Sequence, residues 1–135
     1  MATAYFGRRY TLSASHRLHA ASLSDQENRA AYGKCNNPHG HGHNYVVEVL
    51  VGGEVDGHTG MVVNMATLDE AVRTAVIERF DHANLNFDPL FVNHVPTTEN
   101  LTKAVFDVLK DALPAGKLEY VRVEETENNF FEFRG

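Results

Sequence analysis

Apolar and polar residues alternate from Arg9 to His16, with Tyr10, Leu12, Ala14 and His16 on one parity. A period of two predicts a strand. Ser24 and Glu27 form an S-x-x-E capping box that opens a short helix, which Gly33 ends. The stretch from Gly33 to Asn44 is rich in Gly, Asn, Pro and His and reads as loop. Tyr45, Val47, Val49 and Val51 resume the alternation and predict a second strand. Asp56-Gly57 and Gly60 mark a turn, from which Met61 to Val63 can pair back.

The period then lengthens. Thr67-x-x-Glu70 is another capping box, followed at helical spacing by Leu68, Val72, Ala75, Val76 and Arg79. A further helix is predicted from Thr98 to Leu113, burying Leu101, Ala104, Val105, Val108, Leu109 and Ala112. Pro114 and Gly116 stop it. Leu118 to Glu125 predicts a strand, Asn128-Asn129 a tight turn, and Phe130 to Arg134 the returning strand. This order predicts an α+β fold, a four-stranded antiparallel sheet with two helices packed on one face. So small an open sheet leaves bare edges, which subunits can cover by joining sheets edge to edge.

Length and charge narrow the function. At 135 residues the chain is expected to form one domain, 1–135. A net charge of -6 argues against general nucleic-acid or anionic-membrane binding, since both require a basic surface. An anionic small substrate remains open, because a few local cations suffice; Arg8, Arg9, Arg17 and Lys34 are candidates. No apolar run reaches the length of a membrane span, and Met1 to Tyr10 lacks a signal-type stretch, so a cytoplasmic location is expected. A single cysteine, Cys35, excludes an internal disulfide. Eight histidines against no tryptophan direct attention to the histidines.

His41 and His43 stand two apart, so an extended chain projects both to one face and both can reach one metal ion. His16 ends the first strand and can swing over the same point if the two strands pair. Three neutral imidazoles with an open fourth position make a catalytic zinc site. The competing reading is a histidine-rich surface loop that binds metal adventitiously.

Cys35 has three readings: an inert buried thiol, a fourth ligand that closes a structural zinc site, or a thiolate activated by a cation or the metal. Asp81 beside His82 can fix the imidazole tautomer, yet a histidine at a helix C-terminus is also explained by the dipole alone. Glu125 continues the parity of Val121 and Val123, the apolar side of its strand. A carboxylate there needs a partner, and a heterocycle with adjacent N–H donors supplies one. Otherwise the strand has frayed and Glu125 is solvated. Thr97 and Thr98 suit a helix cap, and Glu99 suits the dipole of the first turn.

Together the segments resemble the 6-pyruvoyl-tetrahydropterin synthase family. The matching pieces are S-A-S-H-R-L-H from Ser13, L-S-D-x-E-N from Leu23, G-K-C-N-N-P-x-G-H-G-H-N-Y from Gly33 and G-E-V-D-x-x-T-G-M-V from Gly53. F-D-H-x-N-L from Phe80, T-T-E-N from Thr97 and V-x-V-x-E-T-x-N-N from Val121 complete the set in the family's order. The resemblance implies the tunnelling fold (T-fold), in which three subunits pool their sheets into a barrel and two trimers stack into a homohexamer with sites between subunits. It implies that His16, His41 and His43 hold one zinc ion per subunit and that Cys35 is the general base. Asp81 and His82 would complete its relay. Glu125 would anchor the pterin ring with Thr97 and Thr98, and Glu99 would lie at the pocket.

The implied reaction is that of a phosphorus-oxygen lyase. It converts 7,8-dihydroneopterin triphosphate to 6-pyruvoyl-tetrahydropterin, a tetrahydrobiopterin precursor, and releases triphosphate with the help of magnesium. No nicotinamide is needed, in keeping with the absence of a G-x-G-x-x-G motif. His39 creates a second frame. Cys35 with His41 and His43 has the pyruvoyl-synthase spacing. Cys35 with His39 and His41 has that of 6-carboxytetrahydropterin synthase of queuosine biosynthesis. Asn44-Tyr45 directly after His43 favours the first frame. The folate branch carries glutamate in place of the cysteine, so Cys35 speaks against it. A non-catalytic, zinc-stabilised pterin- or purine-binding module is the reading of another class.

Overall fold

The computed structural model describes residues 2–114 and 117–135. A five-stranded sheet runs in the order β3-β1-β2-β4-β5. Its long central strands are β1 (Ala4–His16) and β2 (His41–Gly53), paired antiparallel along their full length. β4 (Leu118–Thr126) joins the other edge of β2, and β5 (Asn129–Phe133) closes the hairpin. The strands alternate as the sequence predicts. Leu12, Ala14, Tyr45, Val47, Val49, Val51, Val121 and Val123 are buried on one face, each valine or leucine among them contributing about 1.5–3 kcal/mol by leaving water.

The buried face is covered by helices. α2 (Met65–Val72) passes through a π-helical turn, Arg73–Ile77, into α3 (Glu78–Phe80). Leu68, Val72, Val76 and Phe80, four apart throughout, are all fully buried. In a regular α-helix each step of four overshoots by about 40°, and the stripe would rotate off the core. The wider π turn rotates less per residue and brings it back. α4 (Thr98–Ala112) packs beside it through Leu101, Val105 and Leu109. α1 (Asp25–Tyr32) is capped by Ser24 and Glu27 as predicted, and Gly33 ends it.

Several expectations are corrected. The sheet has five strands, because β3 (Ala83–Asn84) pairs parallel with β1 at Ala14 and Ser15. His82 adopts a positive φ of 59°, and Asp81 accepts a hydrogen bond from the Ser13 N–H at 2.8 Å, which together lay the chain along that edge. β2 begins at His41 rather than after Asn44. Gly40, at φ +72°, makes the turn, and a Cβ there would lie 3.1 Å from the His16 carbonyl oxygen. α2 is capped by Asn64, which accepts from the Thr67 N–H, so Thr67 lies inside the helix. Met61 to Val63 forms no strand, since the Asp56 carboxylate accepts from His58 and Thr59 and folds the segment into a closed loop. Gly116, expected to help stop α4, lies outside the described residues.

Candidate active site

The register of β1 on β2 builds the centre. His16 sits opposite His41, and Ala14 opposite His43. Equal parity sends all three imidazoles to the helix-covered face, at the end of the row Val51, Val49, Val47, Tyr45. The small Ala14 opposite His43 leaves room for the rings to converge. Their centroids lie 4.7 to 5.2 Å apart. One nitrogen from each falls within a 4.8 Å group.

Each ring has a nitrogen suited to a common partner. His16 is 1% exposed. Its Nδ1–H donates to the Pro96 carbonyl at 2.8 Å, which fixes the tautomer and leaves the Nε2 lone pair free. That Nε2 lies 3.1 Å from Nε2 of His41. Two nitrogens bound to one zinc at about 2.0 Å stand about 3.3 Å apart. His41 Nδ1 and His43 Nε2 are buried without a hydrogen-bond partner. Burial holds His16 and His41 below the ordinary imidazole pKa, with the neighbouring histidines acting in the same direction. The two rings are therefore neutral at pH 7, the state that binds metal. The donor set fits a divalent metal such as zinc. His39 is exposed and outside the group.

Glu125 reaches the same face from β4. Thr98 donates its hydroxyl to Glu125 Oε2, and Asn129 donates to Oε1 at 3.4 Å. Burial opposes the charge, but the Thr98 bond, the nearby His43 and His16, and Asn129 outweigh it and hold the carboxyl below its ordinary range. Tyr45, fully buried, packs its ring against His43 at 5.5 Å and places its hydroxyl 3.4 Å from His16 Nδ1.

Cys35 lies on a 3-10 turn, Gly33–Asn36, tied to the segment after His16 by the Leu18 N–H donating to the Cys35 carbonyl at 2.8 Å. It is half-buried and outside the histidine group. Burial pushes its thiol pKa up, and the negative charge of Glu125 pushes it further.

The remaining candidates divide between the centre and other surfaces. Thr97 uses its hydroxyl to accept from the Asn100 N–H and cap α4. Thr98 is buried and faces the centre, whereas Glu99, a further 100° around the helix, is exposed beside Lys103 and Phe131. Asp81 and His82 pair at 3.0 Å. His82 is exposed in a cleft along the β1–β2 surface that it shares with Ser13, Ala14, Ser15, Gly42, His43 and Asn44, so this cleft borders the histidine centre at His43. Cys35 is not among the residues that line the His82 cleft.

Two members of the centre escape sequence reasoning. Tyr45 carried a signal, since it continues the parity of His41 and His43. The Pro96 carbonyl carried none, being a backbone group 80 positions from His16.

The family model for 6-pyruvoyl tetrahydropterin synthase matches residues 5–135. The chain belongs to this family. Human 6-pyruvoyl tetrahydrobiopterin synthase is 49% identical over 133 residues, 98% of this chain and 92% of the human protein. The Drosophila melanogaster protein of the same name is 48% identical, over 98% of this chain and 80% of that one. The solved structure of the Caenorhabditis elegans 6-pyruvoyl tetrahydropterin synthase superposes with a TM-score of 0.95 at 41% identity, covering 100% of this chain and 97% of that one. The α+β sheet and its covering helices are thus those of a 6-pyruvoyl tetrahydropterin synthase fold. Among the described residues no helix is long and apolar enough to cross a membrane.

Proposed function

We propose that the chain converts 7,8-dihydroneopterin triphosphate to 6-pyruvoyl-tetrahydropterin with release of triphosphate. The observation that carries this reading is the convergence of His16, His41 and His43, and not His39, on the sheet face that also holds Glu125. That is the frame with five residues between Cys35 and His41. It supports the pyruvoyl branch over the carboxytetrahydropterin branch. Leaving Cys35 outside the ligand group supports an open metal position over a closed structural site.

Bound at the three histidines, one zinc ion per subunit would act as a Lewis acid toward the substrate's side-chain hydroxyls. The protein's own groups do the rest. Glu125, kept ionised by Thr98 and Asn129, accepts from the adjacent N–H donors of the pterin edge and fixes the ring. Thr97 holds the start of α4, and with it Thr98, in place. Cys35 removes a carbon-bound proton from the side chain. Burial and the charge of Glu125 raise its thiol pKa, which a cation held at the three histidines would lower. Proton return to the ring reduces the ring while the side chain is oxidised, so the electrons stay within the substrate. Triphosphate leaves, assisted by magnesium.

Asp81 and His82 would relay protons to Cys35 from a neighbouring subunit. The absence of Cys35 from the lining of the His82 cleft, and the bare edge at β5, support a T-fold barrel built by trimers stacked as a homohexamer. Glu99 would lie at the pocket only in that assembly. The working unit is then one domain, 1–135, in the cytoplasm, with a small-molecule partner and no nucleic acid or membrane. Incubating the zinc-loaded protein with dihydroneopterin triphosphate and magnesium tests this. The product should be 6-pyruvoyl-tetrahydropterin and free triphosphate; a carboxylated pterin with acetaldehyde would overturn it.

A further inference from the structure

A cleft of about 510 Å³ is lined by Arg17, Asp25, Arg29, Lys34, Asn36 and Asn37. Its lining adjoins the centre along the chain. Arg17 follows the metal-ligand candidate His16, and Lys34 and Asn36 flank Cys35. The link is rigid: Asn86 accepts from the Arg17 N–H at 2.7 Å and donates to the Arg17 carbonyl at 2.9 Å. Nε of Arg17 donates to the Asn36 carbonyl at 3.2 Å, leaving its two terminal nitrogens for another partner.

The charge of this cleft runs against the rest of the molecule. The chain carries -6, yet here three cations face one carboxylate. Arg8, Arg9, Arg73, Arg79, Arg122 and Arg134 each pair with a carboxylate within 4.0 Å. Among the described residues the two arginines left without one are Arg17 and Arg29, and both line this cleft beside Lys34, likewise unpaired. Cations gathered in a concavity without internal partners focus an anion-attracting potential, and guanidinium forks match phosphate oxygens.

Resting on the pterin reading above, we propose that this cleft holds the triphosphate arm of the substrate through Arg17, Arg29 and Lys34. Arg8 and Arg9, equally eligible by sequence, drop out because Asp69 and Glu48 already engage them.

Titration of the zinc-loaded protein with inorganic triphosphate tests the cleft directly. Binding should weaken as salt rises, and R29Q and K34Q should each weaken it about three- to tenfold. D25N, which removes the opposing carboxylate, should tighten it. In turnover, KM for dihydroneopterin triphosphate should rise in R29Q, while the affinity of unphosphorylated neopterin stays put. Zinc content, measured alongside, should not move. Wild-type protein that ignores triphosphate, or R29Q and K34Q that bind it as tightly as wild type, would overturn the assignment. Wild-type turnover is scored separately: triphosphate bound in the cleft of a protein that never transforms the pterin would sink the function and leave an anion site.

Discussion

His16 donates its Nδ1–H to the carbonyl of Pro96 at 2.8 Å, across 80 positions of sequence. The bond locks one tautomer and aims the other nitrogen at His41, 3.1 Å away. A metal ligand is worth most when its orientation is fixed before the ion arrives.

Replacing a ring that this arrangement prepares should empty the site. Purified H16A and H43A are each expected to lose at least about tenfold in zinc affinity, whereas H39A should keep its full complement. Metal analysis after dialysis against a weak chelator reads the difference. Zinc loss in H39A would move the centre to the other histidine frame.

The thiol of Cys35 is expected to stay protonated in the metal-free protein to above the ordinary 9.0, because burial and then Glu125 disfavour its charge. Its alkylation by iodoacetamide should therefore accelerate only above that pH. E125Q removes the negative charge and should shift the profile downward. C35A should cost about 10²- to 10⁴-fold in kcat with zinc retained.

Thr98→Val removes the hydroxyl that stabilises the Glu125 carboxylate. A lost hydrogen bond to a charged group costs about 1.5–3 kcal/mol, so pterin affinity should fall roughly ten- to hundredfold. Fluorescence titration with a reduced pterin measures this, and zinc binding should be unaffected.

Asp69 accepts from Tyr10 and Arg8, which hold its carboxyl below the ordinary aspartate value of 3.8. A depressed folded value stabilises the native state at pH above that ordinary value, and the gain is lost as pH falls through the folded value. Urea midpoints of wild type and D69N should thus differ at pH 7 and converge in strong acid. A gap that widens on acidification would contradict the assignment.

Phe80 is fully buried where α3 delivers Asp81 and His82 to the edge of β1. Phe80→Ala should cost about 3–5 kcal/mol of stability, visible as a lower urea midpoint at unchanged slope.

Much of this was legible from one dimension. A period of two marked β1 and β2 and gave the parity of β4, because alternate residues of an extended chain face opposite sides whatever they pack against. It also placed His16 with Leu12 and Ala14, and Glu125 with Val121 and Val123. Ser24 and Glu27 announced the start of α1, since a cap is satisfied by groups three residues apart. Chemistry-bearing residues in family order were equally readable.

What needed the fold is what depends on register and on distant backbone. The sequence held two overlapping histidine frames, and only the pairing of His16 with His41 brought in His43 and left His39 in solvent. β3 is two residues long, too short for any period, and exists because Asp81 and His82 grip Ser13. Among four equivalent basic candidates, packing spent Arg8 and Arg9 on carboxylates and left Arg17 and Lys34 beside Arg29 in a cleft. Side-chain type is written in the chain, but which charges remain unpaired is decided only when remote segments meet.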